Sequence, residues 1–167
     1  ICDVVIPDLE ANRVAHLITI VSEMAQAMDP TYQEHRHKHG LDVRVNLALA
    51  HRLTSRDYLK AQRVRRRMIN HFNKAFEHVD MIVTPATGIA APGIKMSALP
   101  DGDSDNTTTI EIMRFVTAAN LTGLPAISFP AGYTKNGLPI GMQAMGRAWE
   151  EATLLRLALA AEQVVEK

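Results

Sequence analysis

The chain has 167 residues, 47% of them hydrophobic and 22% charged, with Lys plus Arg equal to Asp plus Glu at 18 each. This length suffices for one ordinary core, and the balanced charge argues against nucleic acid as a partner. No apolar run reaches the ~20 residues that a membrane-spanning helix needs, and the lone Cys2 excludes an internal disulfide framework. A single cysteine favours, without proving, an intracellular compartment.

The N-terminal third is predicted to be largely helical. A β-like run over residues 4–6 precedes a helix that Pro7 and Asp8 open, with apolar residues at helical spacing. Pro30 is expected to stop this helix, because a residue before proline is driven out of the α region. A second helix is predicted over residues 43–53.

Thr54 and Asp57 have the spacing of a capping box and predict a long helix that runs to about Glu77. Its inward stripe contains Tyr58, Ala61, Met68, Ile69, Phe72 and Phe76. Arg65 falls on the same stripe, and an unpaired buried charge costs several kcal/mol. Two roles stay open for Arg65: an ion pair that ties the helix to the sheet, or a guanidinium that holds a substrate carbonyl or carboxylate.

The C-terminal half interleaves helices and strands. The predicted elements, in chain order, are a strand over 80–85, a long loop over 86–109, a helix over 109–119, strands over 126–130 and 139–145, and a last helix after Trp149. Asn136-Gly137 between the last two strands is a hairpin signal. A loop of such length is often functional. The alternation predicts an α/β fold.

Four ordered blocks resemble the C-terminal half of the amidase-signature family: residues 57–65, 80–85, 120–143 and 149–155. The resemblance implies a twisted mixed β-sheet covered by α-helices, of which residues 1–167 form a single partial domain. It also implies amide hydrolysis by a Ser–Ser–Lys triad through an acyl-serine intermediate, with no metal or organic cofactor. The opening within a β-like run, without Met, likewise indicates a piece of a longer protein.

The resemblance places the triad upstream of this chain, so no catalytic residue is predicted in it. Its five serines are isolated: none is followed by Lys three residues on, and no Gly-x-Ser-x-Gly elbow occurs. A serine without an adjacent base is not an activated nucleophile at neutral pH. Alone, the chain is expected to be inert, and its partner is the missing N-terminal half, to which it adds sheet edge and pocket wall.

Arg65, Met113 and Asn120 are the candidate substrate-binding residues. In the amidotransferase branch of the family, an arginine in a similar helix helps hold glutamine, and an acid lies near the position of Met113. The lack of that acid counts against glutamine, and Met113 offers apolar surface for an acyl chain or for the core. Asn120 either caps the short helix or orients the substrate amide.

The segment from Met96 to Phe115 resembles plant-type fatty acid amide hydrolases, which favours a fatty acid amide or N-acylethanolamine as substrate. The alternatives are a non-catalytic interaction protein and the glutamine-hydrolysing subunit of a glutamyl-tRNA amidotransferase. His35, His37 and His39 alternate, but no cysteine or carboxylate completes a ligand set nearby, so no metal site is predicted. The basic residues from Arg63 to Arg67 indicate a solvent face. A homodimer and a peripheral membrane contact stay open.

Overall fold

The structure is a computed structural model that describes residues 1–98 and 105–165. Its elements, in chain order, are α1 (Leu9–His35), α2 (Leu41–Ala50), α3 (Ser55–Ala75), β1 (Met81–Pro85), α4 (Asn106–Ile112), α5 (Thr117–Thr122), β2 (Ala126–Tyr133), β3 (Pro139–Gly146) and α6 (Glu151–Val164). A 3₁₀ turn, Arg36–Lys38, joins α1 to α2. Within the described ranges, no helix is both long and apolar enough to cross a bilayer.

The sheet has the order β1-β3-β2, and both strand pairs are antiparallel. The predicted α/β class is confirmed, while the mixed sheet expected of the whole fold has no parallel pair among these three strands. The hairpin between β2 and β3 closes as predicted. Gly137 takes a positive φ of 78°, and the Leu138 amide donates to the Thr134 hydroxyl at 3.0 Å.

Two helical layers enclose the sheet. On one face, α6 buries Leu154 and Ala158 against Phe129 and Ala144. On the other face, α3 and α5 cover a separate cluster, made of Met68, Phe72, Phe76, Ile82, Ala118, Ala119 and Met145. Fully burying one large apolar side chain contributes roughly 1.5–3 kcal/mol, so both clusters hold the sheet. Helix α1 packs outside, against α3 and α5.

Two expectations for the N-terminal third are wrong. Residues 4–6 form no strand, and α1 continues through Pro30 to His35. Proline inside a helix costs about 3 kcal/mol. Tyr32, beyond the proline, is buried with Ala25 of α1 and Leu47 of α2. This tertiary packing stabilises the last turns of α1 and offsets the cost of the proline.

The capping box that opens α3 is confirmed. The Asp57 amide donates to the Thr54 hydroxyl at 3.3 Å, and the Thr54 amide donates to the Asp57 carboxylate at 3.0 Å. The hydrogen bonds from Thr54 lower the pKa of Asp57 below its ordinary value. The helix ends at Ala75, slightly before the predicted end at Glu77.

The helix predicted over 109–119 is two helices, α4 and α5. Helix α4 begins earlier, because the Asp105 carboxylate accepts from the amides of Thr107 and Thr108 at 3.0 and 3.2 Å. Between the helices, the Phe115 carbonyl accepts a hydrogen bond from the side chain of Gln143. In the predicted loop, residues 86–98 contain no helix or strand, and residues 99–104 lie outside the described residues.

Candidate substrate-binding site

The segment after β1 is held against α4 and β3 by backbone contacts. The Gly88 amide donates to the Glu111 carbonyl at 3.0 Å, and the Ala86 amide donates to the Gly141 carbonyl at 3.0 Å. A Cβ added to Gly88 would lie 2.3 Å from the Glu111 oxygen. Glycine is therefore required at position 88, because any side chain would push the segment away from α4.

A cleft of about 600 Å³ opens between this segment, α4 and the turn end of the β2–β3 hairpin. We call it the strand-end cleft. The described residues that line it include no ionisable side chain; they are Ala86, Thr87, Ile89, Ala90, Ala91, Pro92, Ile112, Ser128, Phe129, Pro130, Pro139, Ile140 and Gly141. The volume falls within the range of small-molecule sites. Such a lining suits a hydrocarbon group and offers no counter-charge to an ionised one.

Gln143 lies beside this cleft, opposite Ser128 in the β2–β3 register. Its side chain is buried at 5% exposure. The amide nitrogen donates to the Thr84 hydroxyl at 3.0 Å and to the Phe115 carbonyl at 2.8 Å. One side chain of the central strand thus joins β1 to the junction between α4 and α5.

A second, larger cavity of about 1600 Å³ lies between the N-terminal segment, β1 and residues 110–118. We call it the N-terminal groove. Its lining includes two ion pairs, Glu10 with Arg13 and Glu111 with Arg114. The hydrogen bond from Arg13 lowers the pKa of Glu10. An apolar ligand here would remove these charged groups from water, so the groove is less suited than the strand-end cleft to such a ligand.

Arg65 is half-buried on α3, and its guanidinium donates to Gln62 at 3.5 Å. Gln62 in turn donates to Thr19 of α1 at 3.0 Å. Among residues 1–98 and 105–165, Arg65 has no ion pair within 4.0 Å, so the ion pair with the sheet, one of the two roles left open for this residue, is not observed. The nearby Tyr58 donates to Glu23, which raises the pKa of the Tyr58 phenol.

Met113 and Asn120 lie on either side of the α4–α5 junction. Met113 is half-buried directly after α4 and follows Ile112 of the strand-end cleft. Asn120 is exposed inside α5, and the helix ends instead at Gly123, whose φ is 76°. The capping role considered for Asn120 is therefore wrong. Neither cavity described above includes Arg65, Met113 or Asn120 in its lining.

Of the described serines, Ser128 lines the strand-end cleft. Its hydroxyl donates to the Met142 carbonyl at 3.3 Å, which is a structural contact and not an activating base. Ser104 lies outside the described residues. Within those that are described, no group of three or more His, Cys, Asp and Glu side chains is arranged to hold a metal ion.

Sequence reasoning missed Gly88 and Gln143. Gln143 stands between Met142 and Ala144 in a strand with apolar neighbours, and a polar residue there must find hydrogen-bond partners when buried. That pattern was a usable signal, although it did not identify the partners. Nothing in the sequence distinguishes Gly88 from an ordinary loop glycine, because its requirement comes from the approach of α4.

Comparison with known proteins connects this architecture to a family. The amidase family model matches residues 7–155. Over 165 residues the chain is 48% identical to the fatty acid amide hydrolase of Medicago truncatula, covering 98% of this chain and 27% of that protein. It is 44% identical over 106 residues, 64% of this chain and 21% of the relative, to a glutamyl-tRNA(Gln) amidotransferase subunit of Thermodesulfovibrio yellowstonii.

A solved amidase structure superposes with a TM-score of 0.82 at 24% identity, which shows a shared fold. The superposition covers 95% of this chain and 37% of the amidase. The chain spans about a quarter of the length of the curated relatives it matches. The cleft and the helical layers described here therefore correspond to one part of a larger fold.

Proposed function

The chain belongs to the amidase family, and we propose that the whole protein hydrolyses the amide bond of fatty acid amides or N-acylethanolamines. The observation that carries this proposal is the 48% identity with a plant fatty acid amide hydrolase over 98% of the chain. The similarity to the amidotransferase subunit extends over 64% of the chain. The sequence of the full 167 residues therefore favours a lipid amide over glutamine.

The strand-end cleft supports an acyl substrate on physical grounds. Each methylene group moved from water into an apolar site contributes about 0.8 kcal/mol, so an uncharged cleft gains affinity with every carbon it accommodates. Free glutamine carries an ammonium and a carboxylate, and the lining residues within 1–98 and 105–165 supply no charge to pair with either. The apolar Met113, next to Ile112 of the lining, is consistent with the same preference.

The mechanism that follows from the family divides the work between two parts of the protein. The nucleophilic serine, the bridging serine and the lysine base belong to the remaining part, and the acyl-serine forms there. The present chain contributes scaffold and pocket wall. Met113, Arg65 and Asn120 stay our candidates for contacts with the substrate; Arg65 retains guanidinium donors that no described carboxylate occupies.

The test is hydrolysis by the whole protein and by residues 1–167 alone. N-acylethanolamines of several chain lengths, aryl amides and glutamine serve as substrates, and a fluorophosphonate probe labels any activated serine. We expect turnover of the lipid amides and labelling outside residues 1–167. Preferred turnover of glutamine would overturn the assignment of a lipid amide as the substrate. Labelling of a serine in residues 1–167 alone would overturn the division of work between the two parts.

We further propose a peripheral membrane contact through α2. Leu41, Val45 and Leu49 recur every fourth residue and are 50%, 45% and 42% exposed, so they form one apolar stripe. The opposite side of the helix, with Leu47 and Ala50, packs on α1. Helix α2 is therefore apolar on two sides, and α1 covers only one of them. The exposed side is stabilised when it contacts another apolar surface.

The charge around this stripe matches an anionic lipid surface. Arg36 and Lys38 precede Leu41, and Arg52 lies in the turn that follows α2, where its amide donates to the Leu49 carbonyl. Residues 35–53 contain four Lys or Arg and one acid, Asp42, in a chain of balanced charge. Basic residues flanking an apolar helical face are typical of helices that lie in the membrane interface.

Sedimentation of the whole protein with vesicles tests this contact. Phosphatidylcholine vesicles with and without phosphatidylglycerol are compared, for the wild type and for Val45→Glu with Leu49→Glu. We expect this variant to lose binding to both kinds of vesicle. Arg36→Glu with Lys38→Glu should lose only the preference for anionic vesicles. Leu155→Glu, at an exposed position on α6, is the control and should bind like the wild type. A dimer-to-monomer shift in Val45→Glu with Leu49→Glu would assign the stripe to a second copy, and its unfolding would assign the stripe to the protein's own interior.

A further inference from the structure

We propose that Gln143 is a positioning residue that fixes the α4–α5 junction and thereby sets the selectivity for acyl-chain length. This inference rests on the proposed function. Gln143 is not one of the residues that line the strand-end cleft. Gln143 acts through the elements that it joins.

The geometry shows two elements joined by one buried group. Thr84, one residue before the end of β1, and Phe115, in the junction, both accept from the same Gln143 amide nitrogen, at 3.0 and 2.8 Å. The primary amide has two N–H groups, and these two acceptors use both of them. At 5% exposure, water does not readily replace either partner.

Each joined element leads directly into a wall of the strand-end cleft. The segment from Ala86 to Pro92 follows Thr84 and forms one wall, and Ile112 precedes Phe115 on the other. The Gly88–Glu111 hydrogen bond holds the two walls together farther along. The distance between Thr84 and Phe115 therefore helps to set the width of the cleft, and Gln143 spans that distance.

The junction also borders the N-terminal groove. Phe115 and Thr117 line that groove, while Ile112 lines the strand-end cleft. Movement of the junction therefore changes both cavities together. Met113, our candidate acyl-binding residue, lies between these positions and would move with them.

The experiment measures selectivity and local protection in the whole protein. Gln143→Met keeps the approximate shape and removes both donors, while Thr84→Val keeps the bond to Phe115 and removes one acceptor. We expect Gln143→Met to raise KM for a long-chain N-acylethanolamine roughly tenfold, with kcat changed less than about twofold. KM for a short-chain aryl amide should change little, and Thr84→Val should show a smaller effect of the same kind.

Hydrogen–deuterium exchange of residues 106–122 supplies a readout that does not depend on activity. We expect faster exchange in Gln143→Met. We expect no such change in Leu154→Ala, which removes apolar packing between α6 and the opposite face of the sheet. Unchanged exchange would overturn the positioning role. Faster exchange with an unchanged ratio of long-chain to short-chain KM would overturn the role in selectivity.

A wild-type protein that cleaves no fatty acid amide would instead overturn the proposed function, and with it the selectivity for chain length. The exchange measurement would still decide whether Gln143 holds the junction. The two failures are therefore distinguishable.

Discussion

The two faces of the sheet are built from different chemistry. The face under α6 is closed by apolar contacts, with Leu154 packed against Gly146 and with Phe129 and Ala144 buried beside it. The face under α3 and α5 has an apolar cluster at one end and, toward the hairpin turn, the buried polar Gln143 next to an open cleft. One face is occupied by packing alone, while the other combines packing with a polar clamp and space for a ligand.

We expect this difference to separate stability from selectivity within one small sheet. Buried apolar contacts are non-directional and can be satisfied by many side chains of similar volume. A buried amide needs particular partners at particular distances, so it specifies where its neighbours lie. Substitutions under α6 should therefore change the free energy of unfolding, and substitutions near the cleft should change the preference among substrates.

The largest effect is expected for Leu154→Ala. This side chain is 2% exposed, and its removal should lower the free energy of unfolding by about 3 kcal/mol. Urea denaturation of the whole protein measures the change, and the ratio of long-chain to short-chain KM should stay as in the wild type. A changed ratio would mean that the α6 face also shapes the cleft, and the contrast between the faces would fail.

Gly88→Ala probes the other side of the comparison. Its Cβ would meet the Glu111 carbonyl at 2.3 Å, so the segment after β1 must move away from α4, at a cost of about 1–3 kcal/mol. We expect KM for long-chain amides to rise more than KM for short ones. Gly93→Ala is the matched control, since a Cβ there would contact nothing within 4 Å. Equal effects of the two variants would contradict the close approach.

The same contrast explains what could be predicted from the sequence. The capping box at Thr54, the hairpin at Asn136-Gly137 and the positions of the three strands depend on residues near in sequence, whose local chemistry is visible. The continuation of α1 through Pro30 depends on the burial of Tyr32 against α2. The break between α4 and α5 involves a bond from Gln143, which is 28 residues away from Phe115. The strand-end cleft was missed for the same reason, since no local pattern brings Ile112 to the hairpin.

A smaller effect is expected for Thr54→Ala, which tests how far the helical layer depends on its own capping. Loss of the hydroxyl that accepts from the Asp57 amide should lower the free energy of unfolding by about 1 kcal/mol. The selectivity for chain length should not change, because α3 is held to the sheet by Phe72 and Met68. Thermal denaturation of Thr54→Ser, which retains the hydroxyl, provides the control. A change in selectivity would show that the start of α3 is coupled to the cleft.

The smallest effect concerns His16, a buried polar residue in the outer helical layer; the described residues under α6 include no counterpart to it. It is 7% exposed on α1, and burial lowers its pKa, so the folded protein favours the neutral ring. The unfolded chain, with an ordinary pKa of about 6.5, binds a proton more readily, and the free energy of unfolding must fall as the pH drops below about 6.5. Asp57 and Asp105 have lowered pKa values and titrate below this window. The difference between wild type and His16→Gln in urea at neutral and mildly acidic pH isolates the histidine. If the free energy of unfolding of the two proteins depends on pH in the same way, folding does not disfavour the protonated His16. The helical layer would then tolerate a charge between α1 and its neighbours.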